Sequence, residues 1–335
     1  MNGTPTMRRA GSPGARLVVA AVVLMLAGGL AITSAALLRK PAARAERVRT
    51  YDLTIQPADI DYGGGNVWHA WTFNGTVPGP TIRVKVGEVL RVHVRNELDL
   101  VHSFHTHLTN YAFEMDGSQA NVVAGQGAAG MIPPGGEYTY EFRPTTPGIY
   151  YYHCHSSDGG IPINQHILQG LYGAIIVENP DEPPIRQEVL FMAEIGPNTE
   201  GDAVPSFIMN GLGLPGGEAT LEKVYHEGGF EAVQAQLGKT VPFFEAKVGE
   251  PIELHVINIG NLEHTLHIHS ATHTSLGVLG GRPWPANVVP LPSGAADTIL
   301  VDFSQPGLWL FHCHVVAHAD GGMIGVFPVT EPAQT

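Results

Sequence analysis

Leu310-Phe311-His312-Cys313-His314 and its twin Tyr151-Tyr152-His153-Cys154-His155 decide how the rest of the chain reads. Side chains of an extended segment alternate between two faces, so in each copy both histidines point one way and the cysteine the other. One strand thereby serves two sites. A soft thiolate with imidazoles selects copper or zinc, and a cysteine flanked by histidines supplies a covalent path between two metal centres.

Working outward, His102, His105 and His107 precede the first copy, and His264, His267 and His269 precede the second. The first histidine of each trio is three residues from the second, so on a strand it faces away from the other two. Pairing the segments puts His102 with Cys154, and His264 with Cys313. The opposite faces gather His105, His107, His153 and His155 in the first half, and His267, His269, His312 and His314 in the second. Each cysteine face needs a further imidazole and an axial group. His166 and then Leu171 follow in the first half, His318 and then Met323 in the second. Two histidines, one cysteine and a weak axial group make a blue-copper arrangement, and the copper facing Leu171, without a thioether, is expected to be the stronger oxidant. Four imidazoles per face are too few for three coppers. Eight brought face to face suffice, which makes an interface the expected active site.

The two halves repeat. Lys85, Gly87, Glu88, His93 and Asn96 return at one constant offset as Lys247, Gly249, Glu250, His255 and Asn258, and the histidine trios keep that offset. Such registration marks a duplicated domain. Alternating apolar segments such as Val48 to Ile55, with 41 glycines, 26 prolines and only 15% charged residues, predict an all-β, turn-rich fold. Residues 46–180 and 181–335 are the two expected domains, joined at Asp181 to Pro184. Leu221 to Leu237 has helical composition and reads as a surface insertion.

Residues 1–45 form a leader. Leu17 to Leu38 carries no charge and is flanked by Arg16 and by Arg39-Lys40, long enough to cross a bilayer. Export to a periplasmic or extracellular compartment is expected, with the leader either cleaved or kept as a membrane anchor. Six of the 18 basic residues lie in this leader, whereas all 31 acidic ones lie beyond it. So acidic a body repels phosphate backbones and argues against nucleic acid as a partner. Two cysteines in an exported chain would ordinarily suggest one disulfide, but here a bridge would abolish both sites.

With these motifs in fixed order from about residue 50 to 330, the chain resembles the multicopper oxidases, specifically two-domain laccases, which are also similar to copper nitrite reductases. The resemblance implies two tandem cupredoxin-like Greek-key β-sandwiches. It implies a type 2 copper on His105 and His267, and a type 3 pair on His107, His153, His155, His269, His312 and His314. Type 1 coppers would sit on His102, Cys154 and His166, and on His264, Cys313, His318 and Met323, giving about five coppers per subunit. It implies a homotrimer, since a layer on one domain that needs a layer on the other makes a heterologous, ring-closing contact. Asp116 and Tyr111 match small laccases as a proton relay and a redox buffer beside the cluster.

The expected activity is one-electron oxidation of phenols, aromatic amines or metal ions, coupled to reduction of dioxygen to water. The alternatives are a copper nitrite reductase and a copper-binding electron-transfer protein without turnover. His155, His314 and the His-x-His pairs weigh against both. His69, His93, His226, His255 and His273 fall outside the pattern and read as structural histidines. Trp309, Phe311 and Tyr150 to Tyr152 are expected to pack the cores.

Overall fold

A computed structural model describes residues 46–119, 129–195, 206–269, 271–277 and 282–332. The leader, and with it the choice between cleavage and anchoring, lies outside them.

Each half is a sandwich of two sheets. In the first, Asn66–Phe73, Val48–Gly63, Val89–Asn96 and Glu137–Phe142 form one sheet, and Ile82–Lys85, Tyr172–Glu178, Gly148–His153 and His105–Thr106 the other. Alternation explains the layering. Along Val89–Asn96, Val92 and Val94 are buried while Arg91 and Arg95 face solvent. The opposing inward rows, including Ile55, Phe73, Leu90, Phe104, Tyr152 and Ile175, close the core, which also contains Cys154 and Leu171. The first strand runs past the expected Ile55 to Gly63, because Ile55 onward pairs with Asn66–Phe73.

The second half repeats this plan. Ser206–Met209, Arg186–Ile195, Ile252–Asn258 and Ala296–Asp302 stand in the order of the first sheet, and the opposing sheet carries Ile324–Thr330, Gly307–Cys313 and His264–Ile268. Register agrees residue by residue: Ile55 lies opposite Asn96 and Phe73, and Met192 opposite Asn258 and Met209. The repeated asparagines explain how each first histidine is placed. Asn96 Nδ2 donates to the carbonyls of Leu100 and Ile132, and Asn258 Nδ2 to those of Leu262 and Leu291. Ile132 and Leu291 are the strand partners of His102 and His264. One buried amide therefore ties the end of each sheet to the segment bearing a candidate ligand. A separate apolar cluster joins the halves, with Trp68, Tyr151, Tyr172, Phe191, Ile208 and Ile257 among its members.

Among the described residues, three α-helices differ wholly or partly from the sequence expectation. Ile163–Leu168 and Val316–Asp320 are short, and carry His166 and His318 in their last turns. The long helix spans Gly217–Leu237, starting before the expected Leu221, and departs from helical dihedrals at Gly228 and Gly229. It is more than a surface insertion. Leu221, Val224, Val233 and Leu237 bury against Leu310, Ala319, Ile324 and Val326, so the helix backs the strand that ends in Cys313.

Candidate metal centres

The two strands that end in His-Cys-His place their side chains as alternation requires. Tyr152, Cys154, Phe311 and Cys313 point into the cores at 0% exposure, while His153 and His312 join the opposite face. Both cysteines are free thiols, which removes the disulfide alternative.

In the first half, His102 Nδ1 and His166 Nδ1 each lie 3.5 Å from Cys154 Sγ and 3.3 Å from one another. Trp71 packs edge-on against both rings. Leu171 is fully buried in the same core and its carbonyl accepts the Cys154 N–H. In the second half, Cys313 Sγ lies 3.8 Å from His264 Nδ1 and 3.7 Å from His318 Nδ1, and the two nitrogens are 3.1 Å apart. Phe207 stacks on His318, and the carbonyl of the fully buried Met323 accepts the Cys313 N–H.

On the other faces, His105, His107 and His153 form one group and His267, His269 and His312 its counterpart. His155 and His314 stand beside these groups, in ring contact with His105 and His267. Backbone carbonyls, which only accept, fix the tautomers. Nδ1–H of His105 donates to Asp116 O, His267 to Asn287 O, His153 to Cys154 O and His312 to Cys313 O. Each of these Nε2 atoms is thereby left as a bare lone pair. His107 and His153 bring these nitrogens within 3.2 Å of one another, and His269 and His312 within 3.1 Å. Among the described residues, no ligand group draws on both layers of one chain.

Burial governs the electrostatics. Desolvation, with the neighbouring imidazole, lowers His102 to about 3, and burial lowers His153 to about 3 and His166 to about 4. Burial pushes the Cys154 thiol up to about 11. At Cys313 burial acts the same way, but the bonds to His264 and His318 overcome it and bring the thiol down to about 6. Asp116 is nearly buried; Oδ1 accepts the Tyr111 hydroxyl at 3.1 Å and lies 3.7 Å from His105 Nδ1, while Oδ2 has no partner. Desolvation and that carboxylate raise Tyr111 to about 12.

Two family models, both described as multicopper oxidase, match residues 54–182 and 219–333, together most of the chain and each enclosing one set of these ligands. The chain belongs to the multicopper oxidase family. It is 30% identical over 253 residues to the multicopper oxidase MmcO of Mycobacterium tuberculosis, covering 69% of this chain and 47% of that protein. It is 27% identical over 298 residues to a probable nitrite reductase-hydroxylamine oxidoreductase fusion protein of Kuenenia stuttgartiensis, covering 84% of this chain and 31% of that one. The chain thus spans about half and about a third of these relatives. A crystal structure of a multicopper oxidase superposes with a TM-score of 0.68 at 27% identity, covering 84% of this chain and 89% of the other.

Copper, which the family binds, suits the donors of this chain. Ligands about 2.0–2.3 Å from a metal stand roughly 3.3–3.7 Å from one another in a tetrahedral or trigonal shell. The edges of the two cysteine triangles, 3.1 to 3.8 Å, lie close to that range, and soft sulfur with imidazole is a copper donor set. The histidines outside the pattern have ordinary partners: His69 pairs with Asp59, His93 with Asp52 and Glu137, and His226 with Glu222, while His255 bonds Thr298 and His273 the Ala271 carbonyl.

Sequence reasoning missed Asn287, whose contribution is a carbonyl that any residue could supply. It also missed Glu194. This carboxylate is 1% exposed, accepts the N–H groups of Asn261 and Leu262 at 3.0 and 3.1 Å, and places Oε1 3.1 Å from His264 Nε2. The ring N–H is aimed off that oxygen, so the contact is an ion-pair contact rather than an aligned hydrogen bond. Burial would raise Glu194 and lower His264, yet His264 and the two N–H groups together hold the acid down, and Cys313 followed by Glu194 holds the base up.

Proposed function

We propose that the chain is an exported, laccase-like multicopper oxidase that couples one-electron oxidation of phenols, aromatic amines or metal ions to reduction of dioxygen to water. The reading is carried by one observation: each thiolate-imidazole triangle is joined through a single Cys-His peptide link to a histidine layer on the opposite face of the same strand. When bound, copper would supply one-electron acceptance at the triangles and multielectron reduction of dioxygen at the layers.

The chain's own residues do the rest. His102, Cys154 and His166, and His264, Cys313 and His318, would hold type 1 copper, with the buried Met323 offering the second site a thioether where Leu171 offers the first none. His105 and His267 would hold the type 2 copper, their Nε2 atoms aimed by the carbonyls of Asp116 and Asn287. The remaining six layer histidines would hold the type 3 pair. Asp116, with one oxygen tied to Tyr111 and the other free, would carry protons toward the histidine layer. Because the layers of one chain form separate groups, the complete cluster would require two subunits, closed as a homotrimeric ring.

Copper analysis with oxygen uptake tests this. The expected result is about five coppers per subunit and oxygen consumption driven by a phenol. The relationship to a nitrite reductase fusion protein supplies the competing reading. Consumption of nitrite without oxygen uptake would establish it and overturn the oxidase assignment.

A further inference from the structure

The duplicated plan allows the two cysteine sites to be compared position by position, and they differ at more than the axial residue. Register equates Glu194 with Pro57: each lies two residues beyond the matched pair Met192 and Ile55, and their strand partners are Phe207 and Trp71, the aromatics that pack on His318 and His166. It also equates Gly260 with Leu98, since their N–H groups donate to the matched side chains of Asn258 and Asn96. A Cβ at Gly260 would collide with the Glu194 carboxylate. The second half has therefore made room for a buried anion and tied it down with two backbone N–H groups, whereas the first half has an exposed proline and a half-buried leucine at the matched positions. Both Nε2 atoms are buried without an aligned hydrogen bond, but that of His264 has a carboxylate oxygen at 3.1 Å and that of His102 has none in ion-pair contact.

We propose that Glu194 is a positioning residue that lowers the reduction potential of the copper held by His264, Cys313 and His318, so that the two cysteine sites form a graded pair rather than duplicates. The inference rests on the copper reading above. A negative charge beside Nε2 in a medium of low polarity favours the more positive, oxidised metal and makes the imidazole a stronger donor. Among the described residues of the first half, the carboxylate acting on His102 and His166 is that of Asp158, which makes no ion pair with either ring, so the weaker field leaves an electron shared between the sites at the first-domain one.

The test uses the copper-loaded protein with one thiolate removed at a time, so that the surviving thiolate-to-copper absorption band reports one site. In Cys154→Ser protein the band belongs to the second-domain copper. Adding Glu194→Gln, which keeps the shape and removes the charge, is expected to shift its equilibrium with a one-electron mediator at least tenfold toward the reduced form, about 59 mV. In Cys313→Ser protein the same substitution is expected to leave the first-domain potential unchanged. A shift below tenfold at the second site, or an equal shift at both, overturns the proposal. Should Glu194→Gln not fold, Met323→Leu in the Cys154→Ser protein gives both sites the same four side chains. The second-domain copper must then still have the lower potential, and coincident potentials overturn the proposal. Parent protein that retains no copper and shows no thiolate band would instead sink the copper reading itself, a failure distinct from an unshifted potential.

Discussion

Asp116 has two carboxylate oxygens in unlike situations, and its expected role follows from the difference. Oδ1 accepts the Tyr111 hydroxyl and lies 3.7 Å from His105 Nδ1, while Oδ2 is buried and unpartnered. Asp116→Asn retains the shape but cannot relay a proton as an acid, so oxygen uptake should fall on the order of 10²-fold with copper content unchanged. Tyr111→Phe removes only the outer bond and should cost far less. Full activity in the asparagine variant would remove Asp116 from proton delivery. The imidazoles set a second expectation at this scale. Burial holds His102 and His153 at about 3 and His166 at about 4, against roughly 6.5 in an unfolded chain. Above that value all are neutral in both states. As pH falls below about 6.5 the unfolded chain takes up protons that the folded one refuses, so stability declines until the folded values are reached. Metal-free protein should lose up to about 4 kcal/mol per pH unit from these three between pH 6 and 5, where few carboxylates titrate. Denaturant midpoints across that window check it, and a flat profile would contradict buried neutral imidazoles.

At the scale of elements, the strands bearing cysteine are held from behind by an aromatic packed on a glycine. Tyr152 lies opposite Gly173 and Phe311 opposite Gly325, and a Cβ on either glycine would collide with the ring. Gly325→Ala should therefore destabilise the protein by about 1–3 kcal/mol and displace His312, next in sequence to Phe311. Trimming the ring with Phe311→Leu in the same chain should restore part of that loss. Additive losses in the double variant would show that the two positions do not oppose one another. What the sequence made legible belongs to this level too. Strand parity is a two-residue rule, so it sorted His102 from His105 and Cys154 from His153 without any tertiary information, and the repeated Asn96 and Asn258 aligned the halves. The short helices carrying His166 and His318 left no periodic pattern, since a turn or so of helix contains too few residues for one. Glu194 could be found only after sheet register had set it beside Gly260, because its partners lie far along the chain.

For the whole molecule, the decisive geometry is that the two histidine layers of one chain form separate ligand groups. If the layers meet only between subunits, damage to one layer can be compensated by a neighbour. Take one variant with His107→Ala and His153→Ala, which spoils the first-domain layer, and another with His269→Ala and His312→Ala, which spoils the second. Each alone should consume no oxygen, since every interface in its ring contains a damaged layer. Expressed together in equal amounts, the two variants should assemble at random. An intact first-domain layer then meets an intact second-domain layer at about one interface in four, and oxygen uptake should recover to about that fraction of the parent. A cluster built within one chain would give no recovery at any ratio, because every chain carries a damaged layer. Both variants leave the two cysteine triangles untouched, so thiolate-copper absorption in each confirms that a lost activity reports the layers and not the fold.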